Sequence, residues 1–397
     1  MDWEQAKDNK NGTFQIPGSW IHISHYEALN ILFRMENALR IFVYCVLKES
    51  YGSDWVGLQI STLETESIAI GKLAARRISQ QQDFAYLGKK IACPMMYLNS
   101  GELIHLIFAD KYWPKFAPFL EGKKEILRNK LEEISTIRNS LAHFRPVTQD
   151  EVDVIRQNTK HVFRGIEACL REITSCSKIV PTNTQDDWYK ELSTLGNELC
   201  KVSLYESPNG KWVRMEIQFS CMVIGTSAGF GENSHHFELI NLSSPEILQH
   251  FGALSKRVIF VSEYMPRPRM PDDRRPSYRK QVSLMFSAKS MRECYKELSD
   301  DLKNMLTLII EERDLISNDH LARGRLLEVD TTYAWINTDD KGRSRWVMQE
   351  DKLLSSTPED APPEYWGTIG RWPAGFIDTA SRYPWMPSAV SSDEFPF

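Results

Sequence analysis

The stretch from Ile134 to Pro146, ISTIRNSLAHFRP, decides how the first half of this chain is read. From Gly122 onward, Leu127, Leu131, Ile134, Ile137 and Leu141 recur at helical spacing. At about 100° per residue these five fall on one arc, and Arg138 falls inside it. A guanidinium on an apolar face is costly unless something pairs with it. Asn139 and His143 are four apart, so a helix that reaches them stacks both on one flank. Pro146 closes the segment, because it cannot continue a helix and restrains the residue before it. Two readings stand. Either this is a core helix with an internally paired arginine and a polar cap, or it gathers three side chains suited to phosphate chemistry.

Arg138-Asn139-Ser140-Leu141-Ala142-His143 resembles the R-N-x-x-x-H signature of HEPN domains, helical modules that are often metal-independent ribonucleases. The flanks are similar as well. Tyr26 to Tyr51 resembles the long amphipathic helix that opens such domains, with Leu29, Leu32, Phe33, Leu39, Phe42, Val43, Val46 and Leu47 as a broad apolar stripe. Tyr51-Gly52-Ser53-Asp54-Trp55 follows as a glycine stop with an aromatic plug. Asn99-Ser100-Gly101-Glu102 then introduces a short helix ahead of Tyr112, Trp113, Phe116 and Phe119, and a last helix runs from about Gln149 to Ser175. The likeness covers roughly residues 20 to 178.

The resemblance implies RNA cleavage by attack of the substrate's own 2′-hydroxyl. Such a reaction needs proton transfer and neutralisation of a crowded phosphorane. Imidazole suits the first because its ordinary pKa of about 6.5 lies near working pH. A guanidinium suits the second, since it stays charged and holds two oxygens at once. His143 is thus the expected general acid/base, Arg138 the phosphate clamp and Asn139 the orienting residue. One helix supplies only one arginine and one histidine. HEPN domains typically pair as two-fold dimers, so a homodimer with a composite cleft is implied. The family further implies a toxin or effector in prokaryotic anti-phage or toxin–antitoxin defence, cutting tRNA or other RNA, with a companion protein or antitoxin as a further partner. The alternative is a non-catalytic HEPN-like adaptor.

Length and composition set the outer bounds. At 397 residues the chain has room for two domains or more, and 42% hydrophobic with 25% charged residues is ordinary for a globular protein. There is no run of eighteen apolar residues and the N-terminus is polar, which argues against a membrane span and a secretory signal and makes the cytoplasm the expected location. Seven dispersed cysteines without a C-x-x-C pair read as free thiols, and no metal or cofactor is expected. The formal charge of −5 is uneven: residues 1–180 carry 23 basic and 21 acidic side chains, the remainder 25 and 32. That balance argues against coating nucleic acid through bulk charge and leaves room for a local basic cleft.

Within the helical part, a second helix is expected from about Thr62 to Arg77, ending in an Arg76-Arg77 pair read as a solvated helix end or a phosphate contact. The run from Ser177 to Asp187 reads as a linker, after which helical periodicity gives way to alternation. Val213, Met215, Ile217 and Phe219 point one way, Arg214, Glu216 and Gln218 the other, and Pro208-Asn209-Gly210 turns back to a partner strand at Lys201 to Tyr205. Further strands are expected at 237–242, 257–264 and 281–286, a short helix capped by Ser244, a long helix over 290–316, and a final hairpin of 326–336 with 344–349. Gly225 to Gly231, GTSAGFG, reads as a loop, with phosphate binding as its functional alternative.

Arg267 to Lys280, RPRMPDDRRPSYRK, reads as a solvated proline-rich loop. Its functional alternative is an RNA-gripping arm in which Arg267, Arg269, Arg274 and Arg275 hold phosphates and Tyr278 stacks on a base. The tail from Ser355, rich in Pro, Trp, Tyr and Phe, reads as a strap over a domain or a docking segment. The expected fold is therefore α+β and multidomain. An all-α HEPN-like bundle (20–178) precedes an α+β domain of mainly antiparallel strands (186–350) and a tail (351–397). The second domain is expected to sense a trigger, select RNA or restrain the nuclease.

Overall fold

The computed structural model describes residues 7–8, 14–15, 23–60, 67–82, 93–143, 145, 147–174, 185–228, 234–265, 278–319, 323–338, 340–342, 344–348, 354–355 and 362–367. It is a mixed helix-and-strand chain with a curled, mainly antiparallel sheet.

Strands β1 (Lys7–Asp8) and β2 (Phe14–Gln15) form a small antiparallel pair ahead of helix α1 (Ile23–Tyr51). From Ile41 to Lys48 every residue of α1 is buried, so this stretch is enclosed on all sides rather than lying along a surface. Gly52, at φ 58°, ends the helix in a conformation costly for a side chain, and the next turn buries Trp55. Strands β3 (Gln59–Ile60) and β4 (Ile68–Ala69) pair before helix α2 (Ile70–Gln82). This corrects two expectations. The first half is not all helical, and α2 starts at Ile70 rather than near Thr62, because Ile68 and Ala69 are held in a ladder by Ile60 and Gln59.

Helix α3 (Ser100–Phe108) starts on a full capping box. Asn99 accepts the Glu102 N–H and Glu102 accepts the Asn99 N–H, both at 2.9 Å. A short α4 (Trp113–Phe116) leads to α5 (Lys124–Ala142), whose five apolar-arc residues are all buried. Helix α6 (Gln149–Thr174) opens on a Thr148/Glu151 box and packs along α1 and α5. Gly165 on α6 sits so close to the preceding turn that a Cβ there would lie 2.0 Å from the Phe119 carbonyl oxygen.

The second half begins with α7 (Asp187–Ser193) and the hairpin of β5 (Cys200–Glu206) with β6 (Trp212–Ala228). It continues through β7 (Ser234–Leu242), α8 (Ser244–His250), α9 (Gly252–Arg257), β8 (Phe260–Tyr264), β9 (Tyr278–Ser287), α10 (Ala288–Asp319), β10 (Leu327–Thr338), β11 (Ser344–Met348) and β12 (Tyr365–Gly367). The sheet order is β11-β10-β7-β6-β9-β8-β12, with β5 also paired to β6. All these pairings are antiparallel except that of β12 with β8. Strand β6 is 17 residues long. Its first part pairs with β5 and β9, and its last part, from Met222, pairs with β7 across an irregularity between Val223 and Gly225 that curls the sheet.

Gly225 to Ala228 are therefore strand, not loop, and a Cβ on Gly225 would meet the Glu238 side chain, so this part of GTSAGFG does not cradle a phosphate. Ser244 is also not a cap; its hydroxyl donates to Glu263 at 2.7 Å. In the tail, Trp366 is fully buried and stacks on Phe260 with centroids 4.0 Å apart, so residues 362–367 form a strap. Trp372 and Trp385 lie outside the described residues.

Two cores result. One joins α1–α6 with Trp212, Ile259, Phe260, Met285 and Trp366, and the other fills the space between the sheet and α7–α10. The seam between the halves is partly polar. The Tyr44 hydroxyl donates to the Ile259 carbonyl at 2.6 Å, and the buried Lys48 ammonium is paired with Glu364 and donates to the Ser255 carbonyl at 3.0 Å. No described helix is long and apolar enough to cross a membrane.

Candidate functional site

Helix α5 carries the three signature residues to its C-terminal end. The His143 N–H donates to the carbonyls of Asn139 and Ser140, both at 3.2 Å, and the Arg145 N–H closes onto Ser140 at 3.0 Å. The helix thus stops at His143, the residue in the C-cap position, with φ −97° and ψ 18°. His143 and Asn139 are exposed.

Arg138 lies between core and surface, with 35% of its side chain exposed. Its Nε is 3.5 Å from Oε2 of Glu36 on α1. The other oxygen of Glu36 pairs with Arg40, which also donates to the Leu98 carbonyl from Nε (3.2 Å) and Nη2 (3.1 Å) and to Asn37 Oδ1 at 3.1 Å. Burial lowers the Arg40 pKa, Glu36 works against that, and Arg138 adds to it. Two guanidinium groups thus share one carboxylate. Leu29, Phe33, Glu36 and Arg40 follow one another at spacings of four, three and four, within an arc of about 60° on α1. Leu29 and Phe33, expected in the core, are instead 43% and 54% exposed. An apolar patch therefore borders the Arg138–Glu36 pair.

Glu36 and Arg40 escaped the sequence reading. Polar positions within an otherwise apolar helix were the available signal, but the Glu36–Arg138 pair joins positions about a hundred residues apart.

The other candidates fare differently. Arg77 forms a two-pronged pair with Glu102, at 2.8 and 2.6 Å, so it is neither a solvated helix end nor a phosphate contact; α2 runs past it. Arg267, Arg269, Arg274 and Arg275 lie outside the described residues. Tyr278 is in strand β9, 1% exposed and against Phe237 with ring centroids 6.0 Å apart. It is a core residue and has no face to offer a base, because its position in the pleat turns it towards the interior. Its hydroxyl has no hydrogen-bond partner among the described residues, and burial pushes its pKa up. Among the described residues no group of His, Cys, Asp and Glu is placed to hold a metal ion.

Comparison of the chain with protein-family models, with curated proteins and with solved structures finds no match.

Proposed function

We propose that the chain is a metal-independent endoribonuclease of HEPN type that works as a homodimer. The observation that carries this reading is the grouping of Arg138, Asn139 and His143 at one exposed helix end, with Arg138 held half-exposed by Glu36. His143 acts as general acid/base on the 2′-hydroxyl or the leaving 5′-oxygen. Arg138 takes the phosphorane oxygens through a guanidinium already aimed by Glu36, and Asn139 offers an amide to the same phosphate or to the imidazole. The exposed Leu29 and Phe33 give a second copy an apolar surface beside the site, and pairing there brings two arginines and two histidines into one cleft. Its biological setting in this reading is a toxin or effector of prokaryotic defence, acting on tRNA or another cellular RNA.

The test is incubation with total RNA in EDTA, with the cut ends mapped for cyclic phosphate. Wild type should cleave, and His143→Ala and Arg138→Ala should each lose on the order of 10²-fold or more in rate. Undiminished cleavage by His143→Ala would remove the assignment. The ion pair of Arg138 with Glu36 also favours a second reading, a non-catalytic adaptor in which the arginine is structural. A dimer that binds partners but leaves RNA intact is its signature.

A further inference from the structure

A second polar site lies along the same helix. Arg128, Glu132, Ser135, Asn139 and His143 follow one another on α5 at spacings of four, three, four and four, within about 80° of arc. At the Arg128 end, α5 and α3 enclose a cavity of about 140 Å³ with the β3 segment, lined by Arg128, His105, Gln59, Tyr112 and Phe108 among others. The Tyr112 hydroxyl donates to the Gln59 carbonyl (3.1 Å) and accepts the Gln59 N–H (3.2 Å), which fixes one wall. Among the lining residues, Arg128 carries a guanidinium and His105 an imidazole. Liquid water takes about 30 Å³ per molecule, and pockets for whole metabolites run from about 300 Å³ upward. The cavity is therefore the size of a small polar group such as a phosphate.

We infer that this cavity is a phosphodiester subsite for single-stranded RNA, upstream or downstream of the cleavage site on the same path. The inference rests on the nuclease reading for its direction towards His143 and on the cavity for its chemistry. Eleven residues separate Arg128 from Asn139, about 16 Å along the helix axis. A single strand of a few nucleotides spans that distance. Arg128 gives the phosphate two donors in one plane. In the free protein the phosphate's place as acceptor is held by Glu132, which accepts from Arg128 Nε at 2.7 Å, so the incoming phosphate displaces a carboxylate. Glu132 is accordingly a brake on binding, and its removal strengthens the site.

The experiment measures binding of a twelve-nucleotide 2′-O-methyl oligoribonucleotide, which lacks the attacking hydroxyl, by fluorescence anisotropy across a salt series. Arg128 is about half exposed, so Arg128→Gln leaves the fold intact. It should weaken binding several-fold and reduce the slope of log K against log salt by about 0.7, the share of one phosphate on a single strand. Glu132→Gln should tighten binding. Arg164→Gln, which removes an equally charged and more exposed side chain from α6, is the control and should change little. Unchanged affinity and slope in Arg128→Gln, no gain in Glu132→Gln, or no binding by wild type overturns the inference. Binding that follows this pattern in a protein that does not cut RNA keeps the subsite and removes the nuclease reading.

Discussion

The buried ion pair of Lys280 and Glu263 permits a prediction with a worked magnitude. Both side chains are wholly buried, and Nζ lies 3.0 Å from Oε2. Lys280 also donates to the Leu242 carbonyl (2.7 Å) and the Ser355 hydroxyl (2.8 Å). Glu263 accepts from the hydroxyls of Ser244 (2.7 Å), Ser355 (2.9 Å) and Tyr365 (3.1 Å) and from the Ser355 N–H (2.5 Å). Glu263→Gln leaves an ammonium in the interior without a counter-charge and turns an amide N–H₂ towards groups that donate. At 3.0 Å and an effective dielectric constant of about 20 the lost attraction is about 5–6 kcal/mol. Measured removals of one partner from such pairs cost about 3–5 kcal/mol. That corresponds to a melting temperature lower by about 6–20 °C for a domain of this size. Lys280→Met should be milder, because the carboxylate keeps its four other hydrogen bonds.

The pH dependence follows with a definite sign. Burial pushes the Glu263 carboxyl up, and the Lys280 ammonium together with the Ser244 and Ser355 bonds overcomes this and holds it below the usual range. The folded pKa is then below the unfolded value of about 4.3, so the stabilisation is present above that value and is lost as pH falls through the folded pKa. In Lys280→Met the burial effect is left with less opposition, and the slope of stability against pH in the acid range should flatten or reverse. Thermal melts from pH 3 to 7 and hydrogen exchange over residues 354–367 measure both effects. A Glu263→Gln protein melting within about 2 °C of wild type would refute the reasoning, as the pair would then not hold the strap.

Three further outcomes are expected. Phe33→Asp should leave the melting temperature within a few degrees, since the side chain is more than half exposed, and under the proposed dimeric nuclease it should shift sedimentation to the monomer with loss of RNA cleavage. Gly165→Ala should destabilise by roughly 1–3 kcal/mol or more through overpacking against the Phe119 carbonyl, read by urea titration; an effect below about 0.5 kcal/mol would contradict the close approach. Tyr278→Phe should be neutral or stabilising by up to about 1 kcal/mol, because it removes an unsatisfied buried hydroxyl, and RNA affinity should not change.

What the sequence revealed was mainly what is local. The buried arc of α5, the helix introduced at Asn99–Glu102, the start of α6 at Gln149 and the β5–β6 hairpin are all written in spacings of two to four residues, where periodicity and capping act. The misreadings share a cause. Ile68 and Ala69 continue an apolar pattern that suits a helix, and only a partner at Gln59–Ile60 makes them strand. Gly225 reads as a loop until β7 arrives beside it, and Tyr278 looks like part of a basic arm until β6 pairs with it and Phe237 of β7 packs against its ring. The candidate site divides the same way. Its three signature residues could be named from one helix, whereas Glu36, Arg40 and the Arg128 cavity depend on which helices become neighbours.

Helix α1 ties these separate features into one frame. Glu36, which aims Arg138, and Lys48, which enters the seam with the second half, are twelve residues apart on it, about 18 Å along its axis. An apolar seam alone tolerates sliding, because apolar contact is non-directional. This seam is directional. Lys48 is buried, and burial lowers its pKa while Glu364 opposes that; its ammonium is met there by Glu364 and the Ser255 carbonyl together. Tyr44 adds a hydroxyl that must find the Ile259 carbonyl. Moving α1 by a fraction of a turn would strand a buried cation, a cost on the scale of the pair at Lys280. The strap that carries Glu364 is anchored in turn by Glu263 through Ser355 and Tyr365. The position of Glu36 relative to the sheet is thus set by two buried ion pairs in series, and the strap is the element common to both.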